Sequence, residues 1–269
     1  MDQDAQVQAR WLALDGPVNF RDLGGYPTDA GGSVRTGLVY RADSLHTMSD
    51  RDVDLVVRAV GIETVIDLRT AGEVELIGVG PIRDAGIRWH NISIFDETQR
   101  TEPRLPGAET PVDSQDIVER SMAQEYLDML ERTGPQFATV LELLAATARP
   151  VVFHCAAGKD RTGLVAALLL DLLGVGDHNI AADYALTERV MPTLRERFLE
   201  RVRNPRLEVL YGPPSQWEPR MNRAMASDPA TIRHVLDDLR ARHGSVAGWL
   251  TGCGLPTSAI DSLRTRLAG

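Results

Sequence analysis

The chain has 269 residues, 43% hydrophobic and 25% charged, with a formal net charge of −9. The negative balance argues against a general binder of nucleic acid or anionic membrane, which needs basic surface. No apolar run approaches the ~20 residues of a membrane span, and two cysteines, Cys155 and Cys253, are too few for a disulfide framework.

The acidic, polar start from Met1 to Gln6 lacks the apolar core of a secretory signal. A reducing cytoplasm is therefore the expected compartment, with signal-less secretion left open. Residues 11–41 read as irregular, with turns at Gly24-Gly25 and Gly31-Gly32, and close on a short strand from Leu38 to Arg41. Ser49 is placed to cap a helix from Asp50 to Val60, with acids in its first turn and Gly61 as its stop. Ile62 to Leu68 reads as a buried strand ending at Asp67 and Arg69, and Ile87 to Ile94 as a further strand. The polar stretch from Glu97 to about Ser114, with Pro103, Pro106 and Pro111, predicts a long loop of a length that tends to be functional. Helices are predicted at about 115–132 and 135–148, separated by Thr133-Gly134-Pro135.

Val151 to His154 is then a short apolar strand ending at Cys155, and a second apolar run, Leu164 to Leu170, is long enough for a buried helix. The remaining third reads as helical. Segments are predicted at 177–188 capped by Asp177, at 192–203, and near 216–226 after the break Tyr211-Gly212-Pro213-Pro214. Others follow at 229–242 with Asp228 as cap and Pro229 first, from Ser245 to Leu250, and from Thr257 to Leu267. The alternation of strands and helices predicts an α/β fold: a central, mainly parallel sheet flanked by helices, with a C-terminal helical region. The expected organisation is one domain over 1–269, with 190–226 as a candidate helical lid whose apolar face is Met191, Leu194, Phe198, Met221 and Met225; ordinary helix packing explains the same residues. Ligands of such sheets bind beyond the carboxyl ends of the strands, where Cys155 and Asp67 lie.

The chemistry concentrates in Cys155-Ala156-Ala157-Gly158-Lys159-Asp160-Arg161-Thr162-Gly163. A strand feeding a tight loop and then a helix N-terminus makes an anion site, because loop amides converge there and the helix dipole adds positive charge. Such an environment favours the thiolate of a cysteine at the loop's start. The amides of Ala156, Ala157, Gly158, Lys159, Asp160 and Arg161, with the Arg161 fork, match the three equatorial oxygens of a phosphoryl group, and Cys155 sits beneath phosphorus for in-line attack. Thr162 is placed to donate a hydrogen bond to the thiolate. No further cysteine or histidine stands at ligand spacing near His154-Cys155, so no metal is expected. A persulfide-transfer loop resembles this one but is typically a residue shorter.

The loop resembles the signature of cysteine-dependent phosphatases, and its Gly158–Gly163 ending resembles their atypical bacterial protein tyrosine and lipid phosphatase branch. Asn19–Tyr26, Tyr40–Leu45 and Val65–Thr70 resemble that branch's N-terminal motifs in the same order. The resemblance implies phosphomonoester hydrolysis without cofactor or metal through a cysteinyl-phosphate, releasing inorganic phosphate. Its expected substrate is protein phosphotyrosine with broad specificity; the alternatives are a phosphoinositide or inositol-phosphate phosphatase and a catalytically silent phospho-binding module. It also implies Asp160 as the acid that protonates the leaving group, against a purely structural ion pair; Asp67 and Asp96 are the other candidates. Lys159 is expected to add positive potential at the pocket mouth. Arg21, with Asp22, either lines the site or holds the glycine-rich turn as an ion pair. His154 is expected to order the loop, and Cys253 to be a small packed residue.

Overall fold

The strands come from short runs whose alternate residues face opposite sides, the period-two pattern of a pleated chain. In the computed structural model, which describes residues 9–95, 121–202 and 225–269, they are β1 (Arg21–Asp22), β2 (Val39–Ala42), β3 (Thr64–Asp67), β4 (Arg88–Asn91) and β5 (Val151–His154). They form one sheet in the order β1-β2-β5-β3-β4, antiparallel only between β1 and β2. Val39, Ile66, Val151 and Phe153 face one core; Tyr40, Ala42, Val65 and Val152 face another across the sheet. A sheet covered on both faces is what an apolar β5 without polar alternation requires.

Among the described residues the helices are α1 (Asp50–Asp54, continued by a π-helical turn over Leu55–Ala59), α2 (Ala71–Ile77), α3 (Met122–Ala146) and α4 (Asp160–Leu172). These are followed by α5 (Asp177–Ala185), α6 (Met191–Val202), α7 (Pro229–His243), α8 (Val246–Gly252) and α9 (Thr257–Leu267). The larger core takes side chains from α3, α4, α5, α7, α8 and α9. Helix α4 is buried on nearly every side, as a helix apolar all round must be.

Local signals placed several helix starts correctly. Ser49 caps α1 in a reciprocal box with Asp52, Asp228 caps α7, and Ser245 caps α8. Two expectations changed and two held. Asp177 lies in the first turn of α5 behind an N-cap at Gly176, its carboxylate drawn to Arg240. Thr257 is the first residue of α9, as expected, with Pro256 at the cap. The break expected at Thr133-Gly134-Pro135 is present: two helical stretches within α3 meet at a kink at Thr133, where φ is −124° and ψ is 22°. Thr133 hydroxyl bonding to the Met129 carbonyl bridges the turn at 2.7 Å, and Gly134 lets Cys253 approach so closely that a Cβ there would lie 2.5 Å from its sulfur. Finally, Arg21–Asp22 is a strand inside the stretch read as irregular, and α2 was not anticipated at all. The long loop from Glu97 to Ser114, the helix near 216–226 and Met221 lie outside the described residues.

Candidate active site

The register of the sheet aligns Ala42 and Asp67 with His154, the last residue of β5. The chain leaves β5 at Cys155, crosses five residues and enters α4 at Asp160. The loop therefore stands at the carboxyl end of the sheet with the ends of β2 and β3 on either side.

Its shape follows from where its carbonyls go. The Cys155 carbonyl lies 3.1 Å from His154 Nδ1. The Ala156 carbonyl accepts from the Ser44 N–H at 3.0 Å, and the Ala157 carbonyl from Asn19 Nδ2 at 2.9 Å. The Gly158 carbonyl accepts from Arg41 Nη2 at 2.6 Å and Asn19 Nδ2 at 3.3 Å. A trans peptide points its N–H opposite its C=O, so each tether turns the next residue's N–H to the other side of the loop. The N–H groups of Ala156, Ala157 and Gly158 donate to no group among the described residues. They are available to an anion. Gly158 makes the turn possible, with φ at +70° and a virtual Cβ only 2.5 Å from the Ala42 carbonyl oxygen.

Cys155 is buried at the foot of this loop and its thiol is free of any disulfide. Arg161, in the first turn of α4, is held by Glu73 of α2: Nη1 to Oε2 at 2.6 Å and Nη2 to Oε1 at 2.9 Å. Burial pushes the Glu73 carboxyl up, but Arg161 outweighs it and holds the group at about 2. Glu73 is itself locked in a capping box with Thr70, which starts α2. Sequence reasoning missed Glu73, although Thr70-x-x-Glu73 ahead of a helical turn was the available signal.

The remaining expected residues separate into the loop and its supports. Thr162 is buried, but its Oγ1 has no hydrogen-bond partner among the described residues, so the expected bond to Cys155 is not formed here. Lys159 is buried rather than at the mouth; its Nζ binds Asp160 Oδ1 at 2.8 Å, with side chains 1% and 22% exposed respectively. The lysine's long stem is accommodated near the Tyr126 ring, its nitrogen 5.9 Å from the centroid. Tyr126 donates to Asp160 Oδ1 at 2.5 Å, and its oxygen lies 2.7 Å from that of Tyr184. Burial opposes ionisation of Asp160, but Lys159 and the Tyr126 hydroxyl more than offset it and keep its carboxyl below the usual range. Burial and the facing Asp160 raise Tyr126 well above the ordinary phenol value, so Tyr126 stays a donor.

Asp67 does not reach the loop's open side. It is fully buried and clasped by Arg69, Nη2 to Oδ2 at 2.6 Å and Nε to Oδ1 at 2.9 Å, with His154 Nε2 3.6 Å away. Burial lowers His154 against the pull of Asp67, so the ring is neutral and orders the Cys155 carbonyl. Arg21 is also fully buried. It pairs with Asp183 of α5, not with Asp22, and hydrogen-bonds the Asn19 side chain; Asp22 instead accepts from the Gly24 and Gly37 N–H groups. Arg21 thus supports the loop from behind and does not line it. Asp43, unremarked in the sequence, accepts from the N–H groups of Asn19 at 2.9 Å and Val18 at 3.3 Å. Asp96 lies outside the described residues. Of the candidate lid face, Met191 is buried and Leu194, Phe198 and Met225 are half-buried.

A buried cysteine beneath free loop amides, with a fixed arginine closing the loop, defines a phosphatase that works through a cysteine nucleophile. The chain belongs to the tyrosine phosphatase family, whose model matches residues 12–269. It is 31% identical over 285 residues to the triple specificity protein phosphatase PtpB of Mycobacterium tuberculosis, covering 95% of this chain and 98% of that protein. A tyrosine-protein phosphatase of Nostoc commune is 30% identical over 228 residues, covering 84% of this chain and 73% of that one. Among solved structures, the core catalytic domain of the PP-IP phosphatase SIW14 from S. cerevisiae matches with a TM-score of 0.38 at 14% identity, covering 65% of this chain and 78% of that one. No described helix is long and apolar enough to cross a membrane.

Proposed function

We propose that the protein hydrolyses phosphotyrosine in proteins, with broad specificity, by a two-step exchange at Cys155. The observation that carries this is the loop whose carbonyls are all drawn outward while Glu73 holds Arg161 in place. Cys155 Sγ attacks phosphorus, the bond from phosphorus to the tyrosine oxygen breaks, and Arg161 with the loop amides holds the charge of the transferring group. Asp160 gives its proton to the departing oxygen. Water then attacks the cysteinyl-phosphate, Asp160 takes the water's proton, the sulfur leaves as thiolate, and inorganic phosphate is released.

Asp160 is preferred to Asp67 because its side chain is partly exposed beside the loop, whereas Asp67 is enclosed by Arg69. Lys159 and Tyr126 keep Asp160 ionised in the free enzyme. A doubly negative phosphate entering the loop opposes that charge and raises the carboxyl so that it can carry a proton. A phosphoinositide is the second substrate class; a specificity wider than phosphotyrosine fits the name of the Mycobacterium tuberculosis relative, a triple specificity protein phosphatase. A reducing cytoplasm suits a mechanism that needs Cys155 as a free thiol.

The test is phosphate release from a phosphotyrosine peptide, a phosphoserine peptide and phosphoinositides, with Cys155→Ser alongside. Release is expected from the phosphotyrosine peptide and none from Cys155→Ser. Release that survives Cys155→Ser would refute the mechanism, and release confined to phosphoinositides would replace the substrate.

A further inference from the structure

Behind the loop, Asp183 of α5 receives two buried arginines, Arg21 and Arg41. Arg41 spans two partners: Nη1 lies on Asp183 Oδ2 at 2.5 Å and Nη2 on the Gly158 carbonyl at 2.6 Å. A guanidinium is a planar, rigid fork, so fixing one arm fixes the direction of the other. The Gly158 carbonyl and the Lys159 N–H belong to one peptide plane and point opposite ways. Holding that carbonyl on Arg41 therefore turns the Lys159 N–H toward the inner side of the loop.

We propose that Asp183, on a helix outside the loop, is a positioning residue for phosphate binding, acting through Arg41 on the Gly158–Lys159 peptide. Two guanidinium groups buried side by side repel, and Asp183 is the carboxylate that lets both remain. Without its charge, Arg41 has reason to move away from Arg21, and the Gly158 carbonyl loses its strongest tether. Arg21 contributes from the other side, donating to the Asp183 carbonyl at 2.9 Å and binding the Asn19 side chain that tethers Ala157. Tyr26 also donates to Asp183, at 3.1 Å, without touching either arginine's bond to the loop.

Inorganic phosphate is the probe, titrated calorimetrically into the full chain without turnover. Asp183→Asn keeps the shape and removes the charge; its phosphate dissociation constant is expected to rise about tenfold, the scale of one charge-assisted hydrogen bond. Tyr26→Phe removes a bond to the same carboxylate but leaves both arginines, and is expected to bind phosphate as the unsubstituted chain does even if it melts earlier. If Asp183→Asn does not fold, Arg41→Lys keeps the charge but cannot span both partners, and the same weakening is expected. Unchanged phosphate affinity in the folded variant, or equal weakening in Tyr26→Phe, would overturn the proposal. If the unsubstituted chain binds no phosphate, the phosphatase reading falls with it; if it binds and Asp183→Asn binds equally, only the positioning role falls.

Discussion

Arg161 and Glu73 meet fork to fork, with nitrogen–oxygen distances of 2.6 and 2.9 Å, although they come from different helices, α4 and α2. The pair orients the arginine before any ligand arrives, which spares the enzyme from ordering a long side chain at the moment of reaction. Because Glu73 is itself capped onto Thr70, the orientation is passed from the start of α2 to the phosphate loop.

Replacing Glu73→Gln removes one charge and half of that fork. We expect kcat to fall by about a hundredfold, the scale of a misplaced catalytic group, measured on a phosphotyrosine peptide. The pair also has a pH signature. Glu73 is depressed from 4.5 to about 2 in the folded chain, so its stabilisation is fully present above about 4.5 and lost as pH falls through about 2. The melting-temperature gap between the unsubstituted chain and Glu73→Gln should therefore close over that window, and a gap unchanged at pH 2 contradicts the pairing.

Asp160→Asn and Asp67→Asn should fail in different ways. The first should lose activity mainly on substrates with poor leaving groups and retain it on good ones, since only the former need the proton. The second leaves Arg69 buried without a charged partner, at a cost of about 3–5 kcal/mol, and should lower stability without any dependence on leaving group. Equal losses of Asp160→Asn on both kinds of substrate would remove it as the acid.

Gly158→Ala places a Cβ 2.5 Å from the Ala42 oxygen and 2.8 Å from Asn19 Nδ2, at a φ of +70°. The backbone conformation alone costs about 1–3 kcal/mol in a residue with a side chain, and the clash adds to it. Urea titration should show the lower stability. Phosphate release should drop with it, because relief of the clash moves the Gly158 peptide.

Asp43 offers an acid limb. Burial lifts its carboxyl to about 6, against the N–H groups of Asn19 and Val18 that it accepts and the positive charge of Arg197 on α6. The folded value lies above the ordinary 3.8, so the native chain holds this proton more tightly than the unfolded chain does. The resulting stabilisation is present below about 3.8 and lost as pH rises through about 6. Function runs the other way: the ionised form holds Asn19, which tethers the loop. kcat/KM should fall as pH drops through about 6, and Asp43→Asn, low throughout, should lack that limb.

Much of the site was legible because its geometry is local. An apolar strand, a glycine at positive φ, an arginine six residues after the cysteine and a helix start occur within one stretch, and each is specified by residues adjacent in sequence. The supports were not legible, because they pair residues far apart. Arg21 has Asp22 beside it in sequence but meets Asp183, 162 residues further along the chain. The loop alone places Lys159 at the pocket mouth, and the burial of Tyr126 and Tyr184 that encloses it cannot be read from there.

The amino-acid sequence by itself determined the candidate nucleophile and the loop proposed to hold phosphate, the alternation of strands and helices, and the family to which the chain belongs. These rest on short-range chemistry: backbone angles, caps and the period of apolar residues. Only the tertiary structure decided that Glu73 orients Arg161, that Asp67 is enclosed by Arg69 and that Asp183 holds two arginines behind the loop. The strand order sets which distant side chains become neighbours, and a buried charge takes the partner that this packing brings within reach.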